Sequence, residues 1–164
     1  MEDKRGGGAF HVPPGEGESA WLLGELYTAK ARGEDTGGEF AVVEATTPPQ
    51  AGPPPHIHHR EDETFWVLEG ELEFMVGDGT VRAPAGSLVH APKGVPHTYK
   101  NAGETPARYV TTIRPAGFEE FFFEVGERAQ DPTAPPPDHG QEVIGRIMEA
   151  APKYGIEILP PPGQ

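Results

Sequence analysis

The chain has 164 residues, with 13 Lys and Arg against 26 Asp and Glu and a formal net charge of −13. That length fits one domain with a real core, and the acidity argues against nucleic acid or an anionic membrane as partner. There is no cysteine, which excludes disulfides, thiolate ligands and a cysteine nucleophile.

No N-terminal stretch has a basic-then-apolar pattern, and no apolar run approaches the roughly 20 residues of a membrane helix. A cytoplasmic location is the expectation. Gly 22 and Pro 20 are high counts, but the prolines cluster at segment borders and the intervening stretches are rich in Val and aromatics. That distribution reads as an all-β domain with many corners.

In chain order, residues 1–19 are rich in Gly, Pro and Glu and read as a mobile arm. Residues 20–28 (AWLLGELYT) read as a first strand, an edge that packs Trp21 against the core, and 30–38 as a polar connection. Residues 39–47 are β-branched and turn-bounded, a second strand, after which Pro48 to Pro55 carries the chain onward in extended form. Phe65-Trp66-Val67-Leu68 and Leu72-Glu73-Phe74-Met75-Val76 alternate across a pleat, with Gly70 marking a bend between them. Gly77-Asp78-Gly79 signals a hairpin. Short strands follow at 80–83, 87–91, 97–101 and 107–113, which together indicate a sandwich or barrel. Residues 117–126 predict a helix with Phe118, Phe121, Phe122 and Val125 on one face. After a Pro-rich linker at 130–138, Asp138 is placed to cap a helix from His139 to about Ala151, with Val143, Ile147 and Ala150 or Ala151 inward. Residues 155–159 form a final apolar tail.

Chemistry concentrates in 52–101. His56 and His58 are two apart, so on a strand they share a face. Glu63 follows a polar bend, with Glu61 and Asp62 as rival carboxylates, and His97 lies past a Pro/Gly corner. Three imidazoles and a carboxylate suit one divalent transition ion, whether Fe, Mn, Ni, Co, Cu or Zn. His59 has the wrong parity to join them and is expected at the surface or behind the ligands. His90 is ambiguous, and His11 and His139 are expected to play no part. Phe65 and Tyr99 share strand parity with Glu63 and His97, which makes them candidates for a substrate-pocket wall.

These residues resemble the cupin superfamily. Its first motif is met by Gly52, His56, His58, Glu63 and Gly70, although Gly52 sits two residues closer to the first histidine than is usual. Its second is met by Gly86, Pro92, Gly94, His97 and Asn101 with every spacing kept. The resemblance implies an antiparallel jelly-roll barrel (a double-stranded β-helix) over residues 39–113, with the helices of 117–164 as an extension. It selects Glu63 among the carboxylates and implies a homodimer.

Within the superfamily the chain is similar to the loosely defined quercetinase-like group. This implies a metal-dependent dioxygenase acting on a small flavonol-like or enol substrate, with Glu63 as both ligand and general base. The alternatives are metal-assisted isomerase or lyase chemistry, and a non-enzymatic small-molecule-binding module, since this barrel hosts many functions.

Overall fold

The computed structural model describes residues 7–161. The expected arm at 1–19 is therefore tested only from Gly7 onward. Its end is not an arm, because the first strand, β1 (Glu18–Leu22), already begins there. The backbone carbonyls of Pro13 and Glu16 both accept from Lys30 Nζ, at 3.1 and 2.7 Å, which ties the preceding loop to the next strand.

The single strand expected at 20–28 is in fact two. β1 turns tightly at Leu23 and Gly24, both with positive φ (51° and 81°), and returns as β2 (Glu25–Ala31). Two left-handed residues in a row match the right-handed twist of a hairpin. A leucine in that conformation is uncommon, so only Gly24 signalled the break. The polar connection contains a single helical turn, α1 (Gly33–Thr36).

The barrel strands follow. They are β3 (Ala41–Thr47), β4 (His56–His58), β5 (Asp62–Glu69), β6 (Glu71–Val76), β7 (Gly79–Pro84), β8 (Leu88–Ala91), β9 (His97–Lys100) and β10 (Ala107–Arg114). Then come α2 (Glu119–Val125), β11 (Glu127–Arg128), α3 (Glu142–Ala150), a 3₁₀ turn at Ala151–Tyr154, and β12 (Ile156–Ile158). All pairings are antiparallel. One sheet has the order β11-β1-β2-β3-β10-β5-β8 and the other β12-β4-β9-β6-β7. Two facing antiparallel sheets with this crossing pattern are the jelly-roll, double-stranded β-helix architecture that the family resemblance implies, within the sandwich or barrel expected from strand spacing.

Alternation places the core between the sheets. Glu63, Phe65 and Val67 on β5, Tyr109, Thr111 and Ile113 on β10, and Leu72 and Phe74 on β6 all point inward and are buried. The chain passes from one sheet to the other at Gly70, where φ is +72° and a Cβ would press on the Ala107 backbone at 3.0 Å. Gly52 has a different reason: a Cβ there would sit 2.1 Å from the Tyr99 carbonyl oxygen, so only glycine lets that loop lie against β9.

The C-terminal elements close the barrel. α2 buries Phe121, Phe122 and Val125, with Phe118 at its N-cap, as the helical periodicity predicts. α3 buries Val143, Ile147 and Ala150 but starts at Glu142, later than expected. Asp138 caps no helix; its carboxylate accepts from Gly140 N at 2.9 Å in a local turn. The apolar tail becomes β12 and pairs with β4, placing Ile156 opposite His58 and Ile158 opposite His56. No helix among the described residues is long and apolar enough to cross a membrane.

Candidate metal centre

Three strands from both sheets converge on one point. β4 carries His56 and His58, β9 carries His97 directly opposite His56, and β5 brings in Glu63 from the facing sheet. One ligand atom from each of these four residues lies within 4.8 Å of all the others. His58, Glu63 and His97 are buried at 1, 4 and 3 % exposure, while His56 is half-buried. The spacing in the sequence anticipates this gathering.

The hydrogen bonds behind the rings decide what faces inward. His56 Nδ1 lies 2.8 Å from the Pro54 carbonyl and His97 Nδ1 lies 3.1 Å from that of Val95. A carbonyl only accepts, so both Nδ1 atoms carry hydrogen and both Nε2 atoms are the ones that face inward. His58 Nδ1 is 2.6 Å from Glu61 Oε1, which fixes the same tautomer. Glu61, expected only as a rival ligand, is thus the buried carboxylate that orients His58. Its i, i+3 spacing from His58 was the available signal.

The convergence is electrostatically unfinished. Glu63 Oε2 lies 2.9 Å from His97 Nε2 and 3.3 Å from His58 Nε2, and the latter nitrogen has no hydrogen-bond partner among the described residues. Electron pairs facing one another at that distance require a proton or a cation between them. Burial pushes His56 down to about 3, assisted by its His97 and His58 neighbours, so it stays neutral at ordinary pH. For His58, burial is outweighed by Glu63 and Glu61, and its pKa rises. Burial likewise opposes ionisation of Glu63, but His58 and His97 hold it down at about 2. Three inward imidazole nitrogens, one of them orphaned and buried, and a carboxylate are a donor set that fits a divalent transition ion once the His58 proton is displaced.

The other candidates separate cleanly. His59 is exposed and pairs with Glu157 at 2.8 Å. Asp62 accepts from Lys93 N at 2.7 Å, and His90 meets Thr64 Oγ1 at 2.9 Å on the outer surface. His139 lies beside Glu127 at 3.2 Å, in the C-terminal extension. Asn101 is buried and structural, donating to the Thr47 and Thr105 carbonyls at 3.0 and 2.8 Å. Phe65 and Tyr99 both line a cavity of about 80 Å³ onto which His56 and Glu63 open. Sequence reasoning did not place Phe118 near the centre, yet its ring stands edge-on to His58 at 4.4 Å.

Residues 43–113 match the family model of the cupin domain. That segment, which holds all four converging residues, is a cupin domain. Among curated proteins, it is 26 % identical over 118 residues to quercetin 2,3-dioxygenase of Bacillus subtilis (strain 168), covering 72 % of the chain and 35 % of that protein. It is 27 % identical over 119 residues to quercetin 2,3-dioxygenase of Aspergillus japonicus, covering 68 % and 34 %. The cupin therefore spans about a third of the length of these relatives. Among solved structures, a predicted oxalate decarboxylase from Thermotoga maritima superposes with a TM-score of 0.61 at 19 % identity, over 65 % of this chain and 99 % of that one. That likeness concerns the fold.

Proposed function

We propose that His56, His58, Glu63 and His97 bind one divalent transition metal ion, and that this cupin is a dioxygenase-type oxidoreductase acting on a compact enol or phenol. The observation that carries the reading is the inward convergence of three Nε2 atoms, each held from behind at Nδ1, on the Glu63 carboxylate. The curated relatives, both named quercetin 2,3-dioxygenase, support the reaction class. When bound, the ion would supply Lewis-acid activation of an oxygen ligand.

The chain's own groups supply the rest. Only His56 and Glu63 of the four open on the cavity. One Glu63 oxygen faces the imidazoles, which leaves the other to take a proton from an entering hydroxyl. Phe118, Phe121 and Phe122 wall the cavity and keep water from the reacting group. At about 80 Å³ the cavity is small, which favours a single ring or a short chain over a complete flavonol.

The test is oxygen uptake by protein loaded with Fe, Mn, Ni, Co or Cu, offered catechols, enols and flavonols. Uptake with compact substrates is expected. Its absence with every ion would remove the dioxygenase reading, and turnover of the same substrates without oxygen would favour isomerase or lyase chemistry. We also propose a homodimer, supported by Trp66 and Leu88, which pair across β5 and β8 at 53 and 57 % exposure. Sedimentation at the monomer mass would contradict it.

A further inference from the structure

The metal centre leaves unused the acid and hydroxyls at the other end of its cavity. Glu25 is buried, and its carboxylate accepts from Tyr27 at 2.6 Å, Thr47 at 2.8 Å and Tyr99 at 2.9 Å. Tyr99 gives its proton to Glu25, so the Tyr109 hydroxyl at 2.6 Å donates to Tyr99. Among the described residues, no Lys or Arg takes part in this network. Burial raises the Glu25 pKa and outweighs the hydroxyls that pull it down. Burial also pushes Tyr27, Tyr99 and Tyr109 well above the usual phenol range, so they remain neutral. Beside them Thr111 lines the same cavity, and its buried Oγ1 has no hydrogen-bond partner among the described residues.

The register fixes how the two ends relate. Ile113, Thr111 and Tyr109 on β10 lie opposite Glu63, Phe65 and Val67 on β5. His97 and Tyr99 are successive inward residues of β9. Each two-residue step is roughly 7 Å. The cavity thus runs from the metal centre past Phe65, whose ring is 6.2 Å from His97 and 6.0 Å from Tyr99, to the tyrosines. One aromatic ring with a substituent at each end matches that span.

We infer that Glu25, Tyr27, Tyr99, Tyr109 and Thr111 form a hydroxyl-recognising subsite that selects ligands carrying a neutral hydroxyl at the end remote from the metal centre and rejects a second carboxylate there. The hydroxyl protons of Tyr27, Thr47, Tyr99 and Tyr109 are consumed within the network, so the tyrosines offer lone pairs. Thr111 supplies the unspent donor. A ligand hydroxyl satisfies both, giving its proton to a phenol oxygen and accepting from Thr111. A carboxylate has no proton to give, and it would bring a second negative charge toward Glu25 in a largely apolar cavity. The inference deepens the proposed function, relying on it only for the anionic end at His56 and Glu63.

The test is calorimetric titration of the cobalt-loaded full chain with benzoate, 4-hydroxybenzoate and benzene-1,4-dicarboxylate. We expect 4-hydroxybenzoate to bind about tenfold tighter than benzoate, and the dicarboxylate about tenfold weaker. Thr111→Val keeps the side-chain shape while removing an unpaired hydroxyl. It is expected to abolish the hydroxyl gain with benzoate binding and melting temperature unchanged, a pattern that a purely structural role would not give. Glu25→Gln should shrink the penalty on the dicarboxylate severalfold. Equal binding of the three ligands, a hydroxyl gain that survives Thr111→Val, or no binding of any ligand would overturn the inference. A hydroxyl preference that is identical in metal-free protein would remove the metal from the outer end and leave the subsite standing.

Discussion

Removing the Glu61 carboxylate should weaken metal binding although Glu61 is not among the four converging residues. Its Oε1 lies 2.6 Å from His58 Nδ1, and both side chains are buried. Glu61→Ala leaves that N–H unpaired, at a cost of about 1–3 kcal/mol, and frees the ring to rotate or to adopt the other tautomer. Loss of such an orienting partner lowers metal affinity by roughly 10–100-fold. Glu61→Ala should fall at the upper end. Glu61→Gln keeps an acceptor but loses the charge, and should fall near tenfold. The assay is competition for zinc against a chromogenic chelator, with stoichiometry followed alongside. One ion per chain with reduced affinity is expected, and wild-type affinity in Glu61→Ala would refute the orienting role.

Proton competition gives a second expectation. The raised His58 pKa means that metal entry near neutrality displaces a proton, so affinity should climb with pH by about tenfold per unit until His58 is deprotonated. Affinity that is flat between about pH 6 and 8 would contradict this. In metal-free protein, the stabilisation from His58 is present below its ordinary pKa of 6.5 and is lost as pH rises through the raised folded value. The Glu63 contribution is present above 4.5 and is lost as pH falls through about 2; urea titrations across pH would reveal both arms. Ile156, buried on β12 beside the histidine strand, should on truncation to Ala cost about 2–4 kcal/mol and loosen metal binding at the same time. Unchanged chelator competition in that variant would show that β12 does not support the centre.

The legible parts of this protein are those governed by local periodicity and spacing. The His56, His58 and Glu63 pattern, the corner before His97 and the inward parity of Phe65 and Tyr99 all follow from a two-residue repeat and turn residues. The Phe-rich face of α2 follows from a 3.6-residue repeat. What remained hidden depended on partners far away in the chain. Residues 155–159 were recognisably apolar, but only pairing with β4 makes them a strand and part of the cavity wall. Leu23 gave no sign of a turn because leucine rarely takes a positive φ. Glu25 looked like an ordinary charged residue. Its burial is evident only once Tyr27, Thr47 and Tyr99 from three strands close around it.

The most direct test of the metal centre is elemental analysis of purified protein beside the His56→Ala/His97→Ala double variant, each first stripped and then offered Fe, Mn, Ni, Co, Cu and Zn in turn. The geometry predicts about one ion per chain in the wild type and loss of that ion in the double variant, with the barrel still folded by circular dichroism. Full metal content in the double variant, or none in the wild type with any of the six ions, would contradict the assignment of His56, His58, Glu63 and His97 as the ligands.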